Sequence, residues 1–215
     1  MKILITAGPT REPIDPVRFI SNRSSGKMGF AIAEAAGHAG HEVELISGPV
    51  AIQAPHSVHV HTTAVETTRE MYDAVAQRIG KMDVAIMTAA VADYRPVTVS
   101  ENKIKKTQNE APTIQLEKTE DILGSARDQL GFTGVLVGFA AETEQLERYA
   151  KDKLSRKRCD IIVANDVSRS DIGFDSDANE IVLFFADGRV ERLPKAAKSD
   201  LAGKLVAVIE ELVGK

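Results

Sequence analysis

Apolar strand-like runs alternate with helical patterns along most of this chain, and that alternation restricts the fold more than any other feature of the sequence. The predicted strands are residues 2–6, 42–47, 58–61, 83–90, 113–116, 134–139 and 160–164. The predicted helices are residues 27–39, 66–79, 120–130, 143–158 and 196–212. The turn Ala186-Asp187-Gly188-Arg189 predicts a β-hairpin between 181–185 and 190–193. We therefore expect an α/β fold with a doubly wound, mostly parallel, Rossmann-like sheet and a C-terminal β-hairpin.

Length, charge and cysteine usage narrow the class of protein. With 215 residues and 43% hydrophobic content, residues 1–215 are expected to form a single domain with a substantial core. A net charge of -4 argues against nucleic acid or an anionic membrane as a partner. The single cysteine, Cys159, excludes an internal disulfide framework and fits a reducing compartment. Because a strand, not a signal peptide, is predicted at the N-terminus, we expect a cytoplasmic protein.

The stretch from Thr6 to Gly29 joins the first predicted strand to the first predicted helix, and it is long for such a connection. Its three prolines predict an extended path. Its end, SSGKMG, supplies a serine that can cap the helix and glycines that let backbone N–H groups approach an anion. Since a helix N-terminus readily binds phosphate, we favour a phosphate-ligand site over simple packing of helix against strand.

Other polar residues follow the predicted strands at the edge where ligands bind in doubly wound sheets. Asp93 comes after a strand of small and apolar residues, and it could hold a sugar hydroxyl or a metal or merely make a turn. The segment of about 91–112 is rich in Lys, Asn, Gln and Pro and is predicted to be a flexible flap. Its lysines 103, 105 and 106 form either a solvated face or a cover for a polyphosphate.

Two lysines on a later predicted helix are harder to place. Lys153 and Lys157 stand four residues apart, so their ammonium groups share one helical face. In a simple βαβ unit the end of that helix lies far from the ligand edge, and spacing alone favours a solvent-exposed role. Lys153 also forms a Tyr-x-x-x-Lys pair with Tyr149, as in short-chain dehydrogenases, but the matching N-terminal glycine triplet is absent.

Several familiar sites fit the sequence poorly. The stretch from Ser21 to Met28 departs from the Gly-x-x-x-x-Gly-Lys-Ser/Thr phosphate loop at both of its ends. The second strand ends in Ile46-Ser47-Gly48, without the acidic residue that holds the ribose of NAD. Histidines 56, 59 and 61 are better explained by alternation on an edge strand than by a metal site.

Five motifs, in order and across nearly the whole chain, resemble those of the bacterial phosphopantothenoylcysteine synthetases. They are ITAGPTREPIDPVRFISNRSSGKMG at 5–29, AAVADYRP at 89–96, KIKK at 103–106, GFAAET at 138–143, and ANDV at 164–167 with GFDSDAN at 173–179. The resemblance implies a Rossmann-like homodimer that makes coenzyme A precursors with Mg2+. CTP would activate 4'-phosphopantothenate as an acyl-cytidylate and release pyrophosphate, and cysteine would then displace CMP to form the amide.

The resemblance also implies roles for individual residues. Asn22 would handle the acyl-cytidylate, Arg18 would serve the second half-reaction, and Lys103 would be the essential lysine of the flap. The implied nucleotide-binding residues, with the helix start at Ser25 and Gly26, are Ala89, Ala90, Asp93, Lys103, Lys118, Thr119, Glu120, Asp121, Phe139, Lys153 and Lys157. Among these, Asp93 would hold the sugar, and residues 118–121 with Phe139 would recognise cytosine. Metal ligands are not assigned.

The sequence departs from the pattern of this family at two points, and two other functions remain as alternatives. Thr119 and Glu120 stand where some members carry Asn-Pro, which leaves the choice of CTP over ATP open. The flavin-dependent decarboxylase half of many bacterial members is not in this sequence, so we expect neither FMN binding nor decarboxylation. The alternatives are a nicotinamide-dependent reductase that uses Tyr149 and Lys153, and a nucleotide-binding module without catalytic activity.

Overall fold

A computed structural model of the protein describes residues 1–105, 113–166, 168 and 176–214. The strands are β1 (Lys2–Ala7), β2 (Arg11–Asp15), β3 (Arg18–Ser21), β4 (Glu42–Ser47), β5 (Val60–Ala64), β6 (Val84–Met87), β7 (Tyr94–Pro96), β8 (Leu116–Lys118), β9 (Val135–Glu142), β10 (Ile161–Asp166), β11 (Ala178–Phe185) and β12 (Val190–Ala197). The helices are α1 (Lys27–His38), α2 (Thr68–Ala76), α3 (Ile122–Asp128), α4 (Leu146–Lys157) and α5 (Lys198–Val213), with a short 3-10 helix at Ile79–Lys81.

Eight strands form the central sheet in the order β12-β11-β10-β9-β6-β1-β4-β5. The six strands from β10 to β5 are parallel, whereas β11 and β12 form an antiparallel hairpin beside β10. The predicted fold class and C-terminal hairpin are therefore confirmed. Strand β4 lies on one side of β1 and β6 lies on the other, so the order in which the strands are added reverses at β1. Such a reversal forms a crevice at the carboxyl ends of these strands.

The central strands of the sheet are buried on both faces, which explains why β1, β6 and β10 are almost continuously apolar, whereas the edge strands β5 and β12 are largely exposed. Successive side chains point to opposite faces, so Ile3 and Ile5 join one core cluster and Leu4 joins the other. Helices α1 and α5 cover the first face, and α2, α3 and α4 cover the second. Cys159 lies in the second cluster, where burial raises the pKa of its thiol to about 12. Within the described residues, no helix has the length and apolar character needed to cross a membrane.

The connection between β1 and α1 differs from the prediction in two ways. It contains an antiparallel hairpin, β2–β3, where the prolines predicted a simple extended path. Gly26, not a serine, is the N-cap residue of α1, and no side chain caps the helix. Its φ of 76° is left-handed, and an added Cβ would lie 2.8 Å from Val50 Cγ1. The helix start therefore needs glycine, and the predicted serine cap is wrong.

The segment predicted as a flap is partly fixed to the rest of the domain. Strand β7 pairs with β8, which begins three residues later than the short strand predicted there. Beyond β7, the Ser100 backbone N–H donates to Ile14 O at 3.0 Å. These contacts hold residues 94–100 against the β2–β3 hairpin, so any flap is shorter than 91–112. Residues 106–112, which include Lys106, lie outside the described residues.

Candidate active site

A pocket of about 620 Å³ lies in the crevice between the carboxyl ends of β1 and β6. Residues 24–29, at the start of α1, line one side, and residues 87–91, at the end of β6 and just after it, line the floor. The pocket continues past Asp93 to residues 118–123 and to the second half of α4. It is therefore an elongated site with two chemically different ends.

The end formed by the start of α1 suits phosphate groups. Gly29 lets the helix lie against the sheet, because an added Cβ would be 2.5 Å from both Ala7 Cβ and Thr88 Oγ1. Lys27 lines the pocket while its Nζ pairs with Asp177 Oδ1 at 2.6 Å. Backbone N–H groups at the helix start and a nearby ammonium group are the usual partners of phosphate.

Residues that the sequence analysis left without a role also line this end. They are Asn165, Asn179 and Lys198. Lys198 is 7% exposed, at the first position of α5, and a lysine is seldom buried so deeply without a function or a partner. The two asparagines fall inside motifs quoted above, whereas no motif marked Lys198. Only the packing of α5 across the sheet brings that lysine to the pocket.

The other end contains residues 118–121 and Phe139, as the cytosine assignment requires. Glu120 does not offer its carboxylate to a ligand, because Arg95 Nη1 and Arg69 Nη2 pair with it at 3.0 and 3.2 Å. Burial acts to raise the pKa of Glu120, but its backbone N–H and the two arginines hold that pKa below its usual range. Any contact from Glu120 to a base would therefore be made by its backbone.

Both lysines of α4 reach this pocket, so the solvent-exposed role that spacing favoured is wrong. Lys153 Nζ donates to Phe139 O at 2.7 Å, and burial lowers the pKa of Lys153. The Lys157 side chain is 11% exposed and pairs with Asp121, the N-cap residue of α3. Both lysines reach the pocket because it is not confined to the strand ends but runs between the start of α3 and the second half of α4.

The structure brings together most, but not all, of the predicted site residues. Twelve line the pocket: Ser25, Gly26, Ala89, Ala90, Asp93, Lys118, Thr119, Glu120, Asp121, Phe139, Lys153 and Lys157. Asn22 lies just beside it, where its Nδ2 donates to Ala90 O at 3.1 Å and to Val91 O at 2.9 Å. Asn22 is thus held directly against the loop that forms the pocket floor.

Arg18 and Lys103 lie apart from the pocket but close to each other. Arg18 Nη2 donates to Ile104 O at 2.9 Å, at the residue that follows Lys103. Lys103 is exposed and does not line the pocket. It could reach a nucleotide there only through movement of its segment, or from a second copy of the chain.

Two other predicted sites can also be compared with the structure. Tyr149 does not line the pocket; it lines a separate surface depression together with Lys153, whose Nζ is held by Phe139 O. Among the described residues, no three or more His, Cys, Asp or Glu side chains are grouped so as to hold a metal ion.

Comparison with known proteins gives one consistent family. A family model described as "DNA/pantothenate metabolism flavoprotein C-terminal domain" matches residues 1–213. The coenzyme A biosynthesis bifunctional protein CoaBC of Vibrio vulnificus (strain CMCP6) is 46% identical over 213 residues, which are 99% of this chain and 52% of that protein. The chain thus spans about half the length of the curated relatives it matches.

Solved structures of two proteins also resemble this chain over nearly its whole length. The crystal structure of the C-terminal domain of a CoaBC protein has 44% identity and a TM-score of 0.84, covering 99% of this chain and 95% of that one. Cab2, solved in complex with phosphopantothenate-cysteine, has 16% identity and a TM-score of 0.81, covering 99% of this chain and 87% of its own. At that identity the Cab2 match is evidence for the fold alone.

Proposed function

The chain belongs to the family of DNA/pantothenate metabolism flavoprotein C-terminal domains, and from this membership we propose that it is a phosphopantothenate–cysteine ligase. It activates 4'-phosphopantothenate with CTP as an acyl-cytidylate, releases pyrophosphate, and couples the acyl group to cysteine with loss of CMP. The observation that carries the proposal is that one continuous pocket joins a glycine-rich helix start to residues 118–121. Such a pocket can hold a nucleotide along its length, with the phosphates at α1 and the base at α3.

The phosphate end provides what the first half-reaction needs. Attack of a carboxylate on the α-phosphate brings several negative charges together, so the site must supply cations and fixed N–H donors. Lys27, Lys198 and the N–H groups at the start of α1 lie there. We propose that they hold the triphosphate in place and that Lys103 completes the charge balance when its segment covers the nucleotide.

Magnesium fits this arrangement as the companion of the triphosphate. Mg2+ usually keeps several waters and is held by substrate phosphates with one or two carboxylates, so a dedicated cage of protein ligands is not needed. Asp93 lines the pocket and supplies a carboxylate. When bound, Mg2+ would neutralise charge on the leaving pyrophosphate.

The base end supports recognition of cytosine mainly by backbone groups. The carboxylates of Glu120 and Asp121 are occupied by arginine and by Lys157, respectively. The change from Asn-Pro to Thr119-Glu120 therefore alters side chains that need not contact the base. We propose that the enzyme retains a preference for CTP over ATP.

The proposed enzyme is a homodimer that associates through an exposed apolar face. Seven of the ten large hydrophobic side chains exposed in the described part of the chain belong to β2–β3, β7–β8 and their flanks: Val17, Phe19, Tyr94, Val97, Val99, Ile114 and Leu116. An apolar face of this kind commonly marks a protein interface. Arg18 lies between Val17 and Phe19, so a second copy bound there would also adjoin a predicted catalytic residue.

A charge in this face is expected to separate the dimer. Phe19 is 46% exposed, and Phe19→Glu would place a carboxylate in the interface without disturbing the core. We expect sedimentation velocity to give a dimer for the parent protein and a monomer for Phe19→Glu. Val190→Glu, at a 43% exposed valine on β12, is the matched control and should remain dimeric. A dimeric Phe19→Glu would contradict this interface.

The proposed activity is tested by pyrophosphate release. We expect CTP to support release with 4'-phosphopantothenate alone for about one turnover, and continuous release once cysteine is added, with ATP at least about tenfold poorer in kcat/KM. CTP binding without turnover would instead indicate a binding module, and substrate-dependent loss of NADPH absorbance would indicate a reductase. The buried thiol of Cys159 and the nucleotide substrate agree with a cytoplasmic location, which we also propose.

A further inference from the structure

The carboxylate of Asp15 accepts five hydrogen bonds in the turn between β2 and β3, and its side chain is fully buried. Oδ1 accepts from the backbone N–H groups of Val17 and Arg18, both at 2.9 Å. Oδ2 accepts from Arg18 Nε at 3.0 Å, from Arg18 Nη2, and from the Ile104 backbone N–H at 3.1 Å. One oxygen therefore shapes the turn, while the other joins Arg18 to the segment that carries Lys103.

Arg18 also contacts the segment that carries Lys103 directly. Arg18 Nη2 also donates to Ile104 O at 2.9 Å, so both polar backbone groups of Ile104 are held. The Asp15 carboxylate and the Arg18 guanidinium together grip one residue of the segment, directly after Lys103. Charge-assisted bonds to a planar guanidinium fix orientation as well as distance.

Asp15 remains ionised throughout the pH range in which such an enzyme would work. The Arg18 guanidinium holds the pKa of the Asp15 carboxyl well below its usual range, although burial acts in the opposite direction. The three backbone N–H donors lower that pKa further. The charge state of the connection is therefore constant around neutral pH, and the connection is not a pH switch.

We propose that Asp15 is a positioning residue that anchors Ile104 beside Arg18, so that the adjoining Lys103 approaches the nucleotide from a fixed point and both half-reactions depend on a carboxylate that touches neither substrate. This inference rests on the proposed ligase function for its kinetic consequences. Its structural part, the fixing of the segment by Asp15, can be measured without any substrate.

The substitution Asp15→Asn tests the two oxygens separately. The amide oxygen of asparagine can still accept from the N–H groups of Val17 and Arg18 and so keep the turn. The amide nitrogen then faces Arg18 Nη2 and the Ile104 N–H, which are both donors. Because two donors cannot bond to each other, the grip on the segment is lost while the turn survives.

The first readout is tryptic cleavage after Lys103 and Lys105. Both lysines are exposed, but a protease cuts a segment only when its backbone can leave the folded path. Loss of the contacts to Ile104 should permit this, and we expect cleavage at least about tenfold faster in Asp15→Asn than in the parent. The matched control is Asp160→Asn. Asp160 directly precedes β10, at the edge of the sheet opposite the pocket, and its Oδ2 accepts from Arg127 Nη2 at 2.6 Å and from Leu136 N at 2.7 Å. That variant loses an equivalent carboxylate–arginine grip and should be cleaved at the parental rate after both lysines.

The second readout is the division between kcat and the affinity for CTP. We expect kcat to fall at least about 100-fold in Asp15→Asn for both pyrophosphate release and amide formation, with CTP affinity changed less than about threefold, because misplaced catalytic groups lower the rate more than the binding. Asp160→Asn should retain parental kcat. A merely structural role for Asp15 would lower the fraction of folded enzyme without this division between kcat and affinity.

A second variant covers the case in which Asp15→Asn does not fold. Ile104→Pro removes the N–H donor to Asp15 Oδ2 but leaves Asp15 and Arg18 paired. We expect faster cleavage after Lys105, since the new proline protects the bond after Lys103, together with reduced pyrophosphate release. Parental cleavage and parental kcat in either folded variant would overturn the inference. If the parent itself releases no pyrophosphate, the ligase function fails, and the cleavage rates still decide whether Asp15 holds the segment.

Discussion

Replacing Lys103 by glutamine is expected to lower kcat for pyrophosphate release at least about 1,000-fold, the largest effect we anticipate for a single side chain. Several negative charges converge when a carboxylate attacks a triphosphate, and an ammonium group placed over the transferring phosphate stabilises that arrangement most in the transition state. Glutamine keeps the length and polarity of the side chain but removes its charge. The measurement is the rate of pyrophosphate release with saturating CTP and 4'-phosphopantothenate.

Lys105 provides the control for this substitution. It lies two residues further along the same segment, is likewise exposed, and is not among the residues that line the pocket. Lys105→Gln removes the same charge from the same segment and should keep kcat within about threefold of the parent, since a distant exposed charge is screened. A parental rate in Lys103→Gln, or an equal loss in both variants, would show that no single lysine completes the site.

The position of Lys103 in the structure explains why its loss should lower kcat and not the affinity for CTP. Lys103 lies outside a pocket that already contains Lys27, Lys153, Lys157 and Lys198. Those four lysines can bind the nucleotide before the segment moves. A positive charge that reaches the nucleotide only when the Lys103 segment covers it stabilises the transition state more than the bound substrate. The loss should therefore appear in kcat, with the affinity for CTP nearly unchanged.

The sheet could be predicted from the sequence because both of its faces are buried. Strands such as β1, β6 and β10 carry apolar runs that are buried along nearly their whole length. The β2–β3 hairpin was missed for the opposite reason. Glu12 and Asp15 are buried in it, and hydrogen bonds satisfy both. Patterning arguments treat such charged residues as exposed, and only tertiary contacts reverse that expectation.

Part of the candidate site could also be predicted from the sequence. Its phosphate end follows from one local junction, a strand that leads into a glycine-rich helix start, and its remaining residues followed from family motifs. Spacing could not place Lys157, because its position depends on how α4 packs against the N-cap of α3. Lys198 was missed for the same reason, since α5 is more than 150 residues from α1 in sequence but packs beside it on one face of the sheet.

Asn22→Asp is expected to separate the two half-reactions. Asn22 Nδ2 donates to the carbonyl oxygens of Ala90 and Val91 at 3.1 and 2.9 Å. A carboxylate in that place would bring an acceptor against two acceptors, and it would add a negative charge beside a site for the acyl-cytidylate phosphate. We expect the side chain to turn away and amide formation to fall at least about 100-fold, because the loss combines a broken contact with charge repulsion.

Pyrophosphate release should remain within about fivefold of the parent, since the groups proposed to hold the triphosphate are Lys27, Lys198 and the N–H groups at the start of α1, and do not include Asn22. Single-turnover assays that follow pyrophosphate and CMP separately would therefore show a first step near the parental rate and a delayed second step. Gln77→Glu makes the same amide-to-carboxylate change at the exposed end of α2 and should leave both steps unchanged. Equal losses of both steps in Asn22→Asp would mean that Asn22 acts on the shared pocket floor and not on the intermediate.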